Sequence, residues 1–393
     1  MGGSLGPLLS IGFILMPELV SVGIPLTETL DGLTETLNSL LAQTYKSFEI
    51  ILVDDVSEDD VDNLARELSD RDERIIYVKT PGYFGILPSH AEVLTRSKGA
   101  YFMWMGIGDT LEVGYLSSCV ELMERKSDLS MVVGRNRRID GEDVAALNIV
   151  EGDPIRRVES FLESEINLDL WYGLFRRPFI AAIPFRNAVG FEMVFLSEVA
   201  FGGKITTVED AWFLRKNITM VENKNEFEEV KEAKINLGVP DFQLDDPYLA
   251  LAVQLFCNIA FLSKNFAALP QMERLRLAVR AYTRTAEHYC IVNEGQFISF
   301  AVRIFPEARI TDKLHEVRLY LATALYSQKE SKALFEPLSR AEEIINGLCR
   351  IKIGRLPPTQ KEREIVANIK DGFDSNDSEA FKNRAILALV LFL

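Results

Sequence analysis

Four short apolar segments separated by amphipathic ones occupy residues 20–105, and this alternation constrains the fold more than any other feature of the chain. Val20 to Ile24, Phe48 to Val53, Arg74 to Val78 and Tyr101 to Met105 have the length of strands. In the first intervening stretch Leu33, Leu37, Leu40 and Leu41 recur at the i, i+4, i+7, i+8 spacing of one buried helical face. In the second, Ser57 suits an N-cap, Glu58 to Asp60 suit the positive end of the helix dipole, and Val61, Leu64 and Leu68 form the apolar stripe. Pro88 falls in the first turn of a third helix, which Gly99 ends. Repeated strand, helix, strand requires right-handed crossovers and a mostly parallel α/β sheet, and such sheets bind ligands beyond the carboxyl ends of their strands. Asp54, Asp55, Gly108 and Asp109 each follow a strand closely, so they converge on one crevice.

The chain has 393 residues, too many for one small core, and two or three units are expected. From Asp245 onward apolar residues recur at helical spacing, in Tyr248 to Leu262, Met272 to Tyr289, Lys313 to Tyr326, Leu334 to Leu348 and Lys361 to Ile369, with prolines between them. The expected division is a lead-in over 1–17, an α/β domain over 18–239 and an all-α C-terminal domain over 240–393. A net charge of −15 argues against a nucleic-acid partner, which would call for clustered Lys and Arg. The four cysteines are widely spaced with no C-x-x-C, as in a reduced, cytoplasmic chain. Leu8 to Met16 lacks a positive flank and reads as a lead-in strand rather than a cleaved signal. The C-terminal run Ala385 to Leu393 is too short to span a bilayer and reads either as a packed helix or as a peripheral contact at the inner face of a membrane.

Three blocks carry a more specific message. Val20 to Pro25, the helix ending Ser39 to Tyr45, and Phe48 to Asp55 follow in order the pattern V-S-V-I-I-P-T-Y-N, S-L-L-A-Q-T-Y, F-E-I-I-V-V-D-D. Lys98 to Met105 followed by Gly106, Ile107, Gly108 and Asp109 falls where that pattern has K-G-E-Y, an apolar strand and a D-x-D-type acidic motif. Trp171 to Arg177, then Gly190, Phe191 and Glu192, then Glu209 and Asp210 with Ala211 to Lys216, form a looser third block ending in an E-D motif and its helix. Over about residues 18–217 the chain resembles the family 2 glycosyltransferases of GT-A fold.

The resemblance implies an inverting transfer of a sugar from a nucleotide diphosphate sugar to a hydroxyl of a glycan or lipid-linked acceptor. It places Pro25, Thr27, Glu28, Asp54, Asp55, His90 and Gly108 around the nucleotide, and Asp210 as the general base that takes the acceptor proton. Glu192 is a second acceptor-side carboxylate, read as structural, and of the basic pairs Arg176, Arg177 and Arg215, Lys216 one member each is expected to approach phosphate and the other to lie at the surface. The family's Mg²⁺ or Mn²⁺ would fall to Asp109 alone, because Gly106 and Gly108 carry no ligand atoms, so metal dependence is expected to be weak or absent. That same erosion leaves open a second reading, a domain of this fold that has lost catalysis and serves as a binding or scaffolding module.

Overall fold

A computed structural model describes residues 17–26, 32–54, 59–80, 82, 85–138, 146–164, 168–186, 188–216, 239–289, 297–310 and 312–313. The first strand, β1 (Val20–Leu26), is followed by α1 (Leu33–Leu41), β2 (Phe48–Asp54), α2 (Asp59–Arg71), β3 (Ile75–Lys79), α3 (Ile86–Arg96) and β4 (Tyr101–Trp104). The short β5 (Thr110–Leu111), α4 (Tyr115–Arg125), β6 (Leu129–Arg138), α5 (Pro154–Glu163), β7 (Leu174–Arg176), α6 (Arg177–Ile180), α7 (Phe191–Gly202) and β8 (Lys204–Arg215) complete the α/β part. The described residues after 238 carry the helices α8 (Phe242–Asp245), α9 (Pro247–Cys257), α10 (Gln271–Tyr289) and α11 (Phe297–Ile304).

The eight strands form one sheet in the order β3-β2-β1-β4-β7-β6-β8-β5. The first four are parallel, as right-handed crossovers through α1, α2 and α3 require. Beyond β4 the sheet is mixed: β7 runs antiparallel to β4 and to β6, β8 runs parallel to β6, and β5 closes the edge antiparallel to β8. Every residue of β1 and β2 is buried, as expected of strands covered on both faces. The stripe expected on α1 is inward, with Leu33, Leu37 and Leu40 buried, and Leu64 and Leu68 of α2 are half-buried against the same core.

The stretch Ala211 to Lys216 corrects the sequence reading, because Ala211 to Arg215 continues β8, with Lys216 just past it, and is not a helix led by Glu209 and Asp210. Ala211, Phe213 and Arg215 are buried while Trp212 and Leu214 lie outward, a period of two fixed by pairing with β6 on one side and β5 on the other. Arg176 and Arg177 are also displaced from the expected place. Arg176 pairs with Tyr101 at the start of β4, the end of the sheet opposite the crevice, and its guanidinium donates to the carbonyls of Met123, Lys126 and Leu129. Arg177 donates to Ser97 Oγ at 2.6 Å, so both arginines fasten the scaffold.

One hydrophobic core runs from the sheet into the helices after residue 240. Its centre is α7, whose residues 191–200 are all buried, because α5 and α9 cover it from outside while the sheet lies beneath. The buried Arg157 of α5 donates to the C-terminal carbonyls of α7 at Ala200 and Phe201, satisfying groups that helix ends leave unpaired. Glu198 of α7 accepts from Asn258, Ser263 and Asn265, which ties the helix to the π-helical turn Asn258–Leu262 after α9. The expected helices Tyr248 to Leu262 and Met272 to Tyr289 correspond to α9 with that turn and to α10. Expected elements at Leu8 to Met16, after Lys313 and at Ala385 to Leu393 lie outside the described residues. No helix among the described residues is long and apolar enough to cross a membrane.

Candidate active site

The carboxyl ends of β1, β2 and β4 meet at one side of the sheet. Leu26 closes β1 opposite Asp54 of β2, and Pro25 stands opposite Val53, both of them buried in the ladder. Asp54 is fully buried, and its Oδ2 accepts from the Tyr77 hydroxyl of β3 at 2.6 Å. That same hydroxyl lies 2.6 Å from Asp62 Oδ1 on α2, so one phenolic proton is shared between two carboxylates. Burial and both carboxylates push the Tyr77 pKa far up. Asp62 is held down at about 2, first by the Tyr77 hydroxyl and then by Lys79 and Arg66. Asp54 is thus positioned at the strand end by a β3 tyrosine that the sequence reading did not include. Thr27, Glu28 and Asp55, its expected companions, lie outside the described residues.

After β4 the chain turns through Gly106, Ile107 and Gly108 to the buried Asp109. Gly108 has φ +90°, a left-handed conformation that L side chains rarely adopt, and it packs against Gly32 at the head of α1. A Cβ on Gly32 would come within 2.6 Å of Gly108 Cα, so the two backbones approach as closely as glycines permit. Thr36 of α1 locks the turn: its hydroxyl accepts from the Gly108 amide at 2.8 Å and donates to the Asp109 carbonyl at 2.9 Å. The Asp109 carboxylate accepts from the backbone amide of Lys216, just past β8, at 3.0 Å.

Mg²⁺ or Mn²⁺ wants several oxygen ligands at close range. Gly106 and Gly108 offer none, Oδ1 of Asp109 is engaged by a main-chain amide, and no three His, Cys, Asp or Glu gather into a metal-binding group among the described residues. The described residues do not fit the ion.

His90 lies on α3 with its ring 6.4 Å from that of Trp104 and 5.9 Å from that of Trp171, while its carbonyl accepts from the Trp104 indole N–H at 3.0 Å. Trp104 and Trp171 stack at 4.2 Å with 13° between their planes. Phe191 and Phe195 of α7 meet the ring of Trp171 edge-on at 6.5 and 5.2 Å, and Phe195 is 5.6 Å from Trp104, the last residue of β4. This aromatic stack carries the head of α7 to the crevice end of the sheet. Glu192 stands there in the first turn, after Gly190, whose φ of +72° turns the chain into the helix.

Glu192 is buried, and burial pushes its carboxyl up to about 7, opposed only by its own backbone amide. No side chain is paired with it among the described residues. Asp210 differs in every respect. It is exposed on β8, inside an irregularity where Val208 pairs with Gly134 but Trp212 already pairs with Arg135. Leu214 is the β8 residue opposite Thr110, so Asp210 lies four residues upstream in sequence of the position that faces the strand after the Asp109 turn. Its neighbour Glu209 pairs with Arg135 at 2.8 Å.

An open sheet whose parallel strands β1, β2 and β4 end on one side, with a buried carboxylate at the end of the second and a glycine-bearing turn after the fourth, is an α/β architecture that receives ligands at its strand ends. Residues 21–183 match the model of Glycosyl transferase family 2. Over those residues the chain is similar to the family 2 glycosyltransferases, and its fold is of GT-A type. Among curated relatives, glycosyltransferase GlyG of Streptococcus pneumoniae is 27% identical over 128 residues, which cover 33% of this chain and 42% of that protein. The UDP-Glc:alpha-D-GlcNAc-diphosphoundecaprenol beta-1,3-glucosyltransferase WfaP of Escherichia coli is 33% identical over 107 residues, covering 27% and 42% of the two. The chain spans less than half the length of these curated relatives. Residues 1–349 of TarS from S. aureus superpose with a TM-score of 0.50 at 14% identity, covering 77% of this chain and 85% of that one, a likeness of fold.

Proposed function

We propose that the protein transfers a sugar, with inversion, from a nucleotide diphosphate sugar to a hydroxyl of a glycan or lipid-linked acceptor. The observation that carries this reading is that buried Asp54 and the Gly106 to Asp109 turn, both within the residues that match the family 2 model, meet at one end of the sheet, with the head of α7 beyond them. The relative WfaP is named for a UDP-glucose donor and a lipid-linked acceptor, and a UDP-linked hexose is the first donor to try.

An inverting transfer needs one carboxylate to take the acceptor proton as its oxygen attacks the anomeric carbon, while the bond from that carbon to the diphosphate breaks. Glu192 suits this role better than Asp210. A base works best with a pKa near the operating pH, and burial gives Glu192 a value of about 7. Asp210 is exposed in the irregular stretch of β8. The described helices after residue 240 pack against α5 and α7, and we assign them to holding α7, and with it Glu192, in place. Asp54 orients the nucleoside end.

The glycines at 106 and 108 favour the second reading, a domain that binds nucleotide sugar without turning it over. Release of nucleoside diphosphate from a panel of UDP- and GDP-sugars, with glycan and lipid-linked acceptors and with water alone, separates the two. Sustained release is expected. Tight binding without release across the panel would establish the scaffold reading, and no binding would reject both.

A further inference from the structure

The end of β8 carries a lysine over the turn where the family's pattern has acidic residues. The Lys216 amide is fixed beside that turn by its 3.0 Å bond to Asp109 Oδ1. From there its side chain runs across Gly108. A Cβ on Gly108 would lie 2.9 Å from Lys216 Cδ, 3.4 Å from its Cβ and 3.5 Å from its Cγ, so a side chain at 108 and the lysine stem compete for one space. The ammonium reaches the head of α1, 3.6 Å from where a Cβ on Gly32 would stand and 3.8 Å from Glu35 Oε2. The Glu35 side chain is 62% exposed, so that pairing is weak and easily exchanged for a stronger anion.

We propose that Lys216, rather than a divalent cation held by carboxylates, supplies the positive charge against the donor's diphosphate. This rests on the nucleotide-sugar reading above. As the acceptor oxygen bonds to the anomeric carbon, the bond from that carbon to the diphosphate oxygen breaks and its electron pair stays on the diphosphate. A cation placed there in advance stabilises the charge as it develops. An ammonium on a flexible stem is such a cation and needs no ligands of its own. The glycine at 108, the lysine stem above it and the Asp109 carboxylate turned to the amide of that lysine work together. One residue brings the charge, fills the space of a chelating side chain and engages the remaining acid.

The test is calorimetry in EDTA with UDP, UMP, GDP and GMP on the full chain, comparing wild type, Lys216→Met and Lys216→Arg. Methionine keeps an unbranched stem over Gly108 and removes the charge. Wild type should prefer the diphosphate to the monophosphate without added metal. Lys216→Met should lose about ten- to a hundredfold in diphosphate affinity, the range for a hydrogen bond to a charged group, and keep its monophosphate affinity. Lys216→Arg should restore most of the preference. A preference that survives in Lys216→Met, or that appears only when Mn²⁺ is added, overturns the role of Lys216 and leaves the glycosyltransferase reading intact. A wild type that binds none of the four nucleotides, with or without Mn²⁺, overturns both.

Discussion

The backbone amide of Lys216 donates to Asp109 Oδ1 at 3.0 Å, across 107 residues of sequence, and so joins the end of β8 to the turn after β4. The bond makes Asp109 a structural acid whatever else it does. Asp109→Ala leaves a part-buried amide without its acceptor and should destabilise the fold by about 1–3 kcal/mol. Asp109→Asn keeps an oxygen acceptor and should recover most of the loss. Urea unfolding of the three proteins checks this, and equal stability of the alanine variant would mean that the bond contributes nothing.

Thr36 should be more sensitive than a surface-helix threonine. Its buried hydroxyl satisfies the Gly108 amide and the Asp109 carbonyl together. Thr36→Val preserves the shape and leaves both backbone groups unpaired, at an expected cost of about 2 kcal/mol or more. Thr36→Ser should lie much closer to wild type. Thermal melting of the pair is sufficient, and a valine variant as stable as the serine one would contradict the locked turn.

Glu192 makes stability depend on pH in a definite direction. Its carboxyl has an ordinary value of 4.5 and is pushed to about 7 in the fold, so between these values the folded protein holds a proton that the unfolded chain has released. Stability therefore falls as pH rises through this window, by about 3 kcal/mol at most at about 1.4 kcal/mol per unit. Glu192→Gln cannot ionise and should lose this dependence, gaining on wild type at pH 8 relative to pH 5. Parallel pH slopes for the two proteins would show that Glu192 titrates normally.

Much of this was legible in the chain. Residues 20–105 announced their crossovers because the spacing of Leu33, Leu37 and Leu40 and the apolar runs before Asp54 and Gly106 are local patterns. The reading failed where distant pairing overrides local preference. Glu209 and Asp210 resemble the acidic first turn of a helix, but β6 and β5 flank the segment and draw it into the sheet. Glu192 was visible as a carboxylate and not as a buried one, because α7 is apolar on all sides and only its enclosure by the sheet, α5 and α9 removes that residue from water. The Tyr77 partnership of Asp54 depends on strand register, which no single segment encodes. Lys216 was recognisable as a basic group near phosphate, while its passage over Gly108 emerges only where β8 meets the turn.

The central claim is that Glu192 is the base of a sugar transfer, and the most direct measurement is turnover of wild type, Glu192→Gln and Asp210→Asn against pH, with the same donor and acceptor. Wild-type turnover should rise as pH passes about 7, where the Glu192 carboxyl ionises. General-base assistance contributes about 10² to 10⁴ in rate, so Glu192→Gln should fall by at least the lower figure while nucleotide affinity holds and Asp210→Asn stays near wild type. Full turnover in Glu192→Gln together with an inactive Asp210→Asn would contradict the account and return the role of base to Asp210.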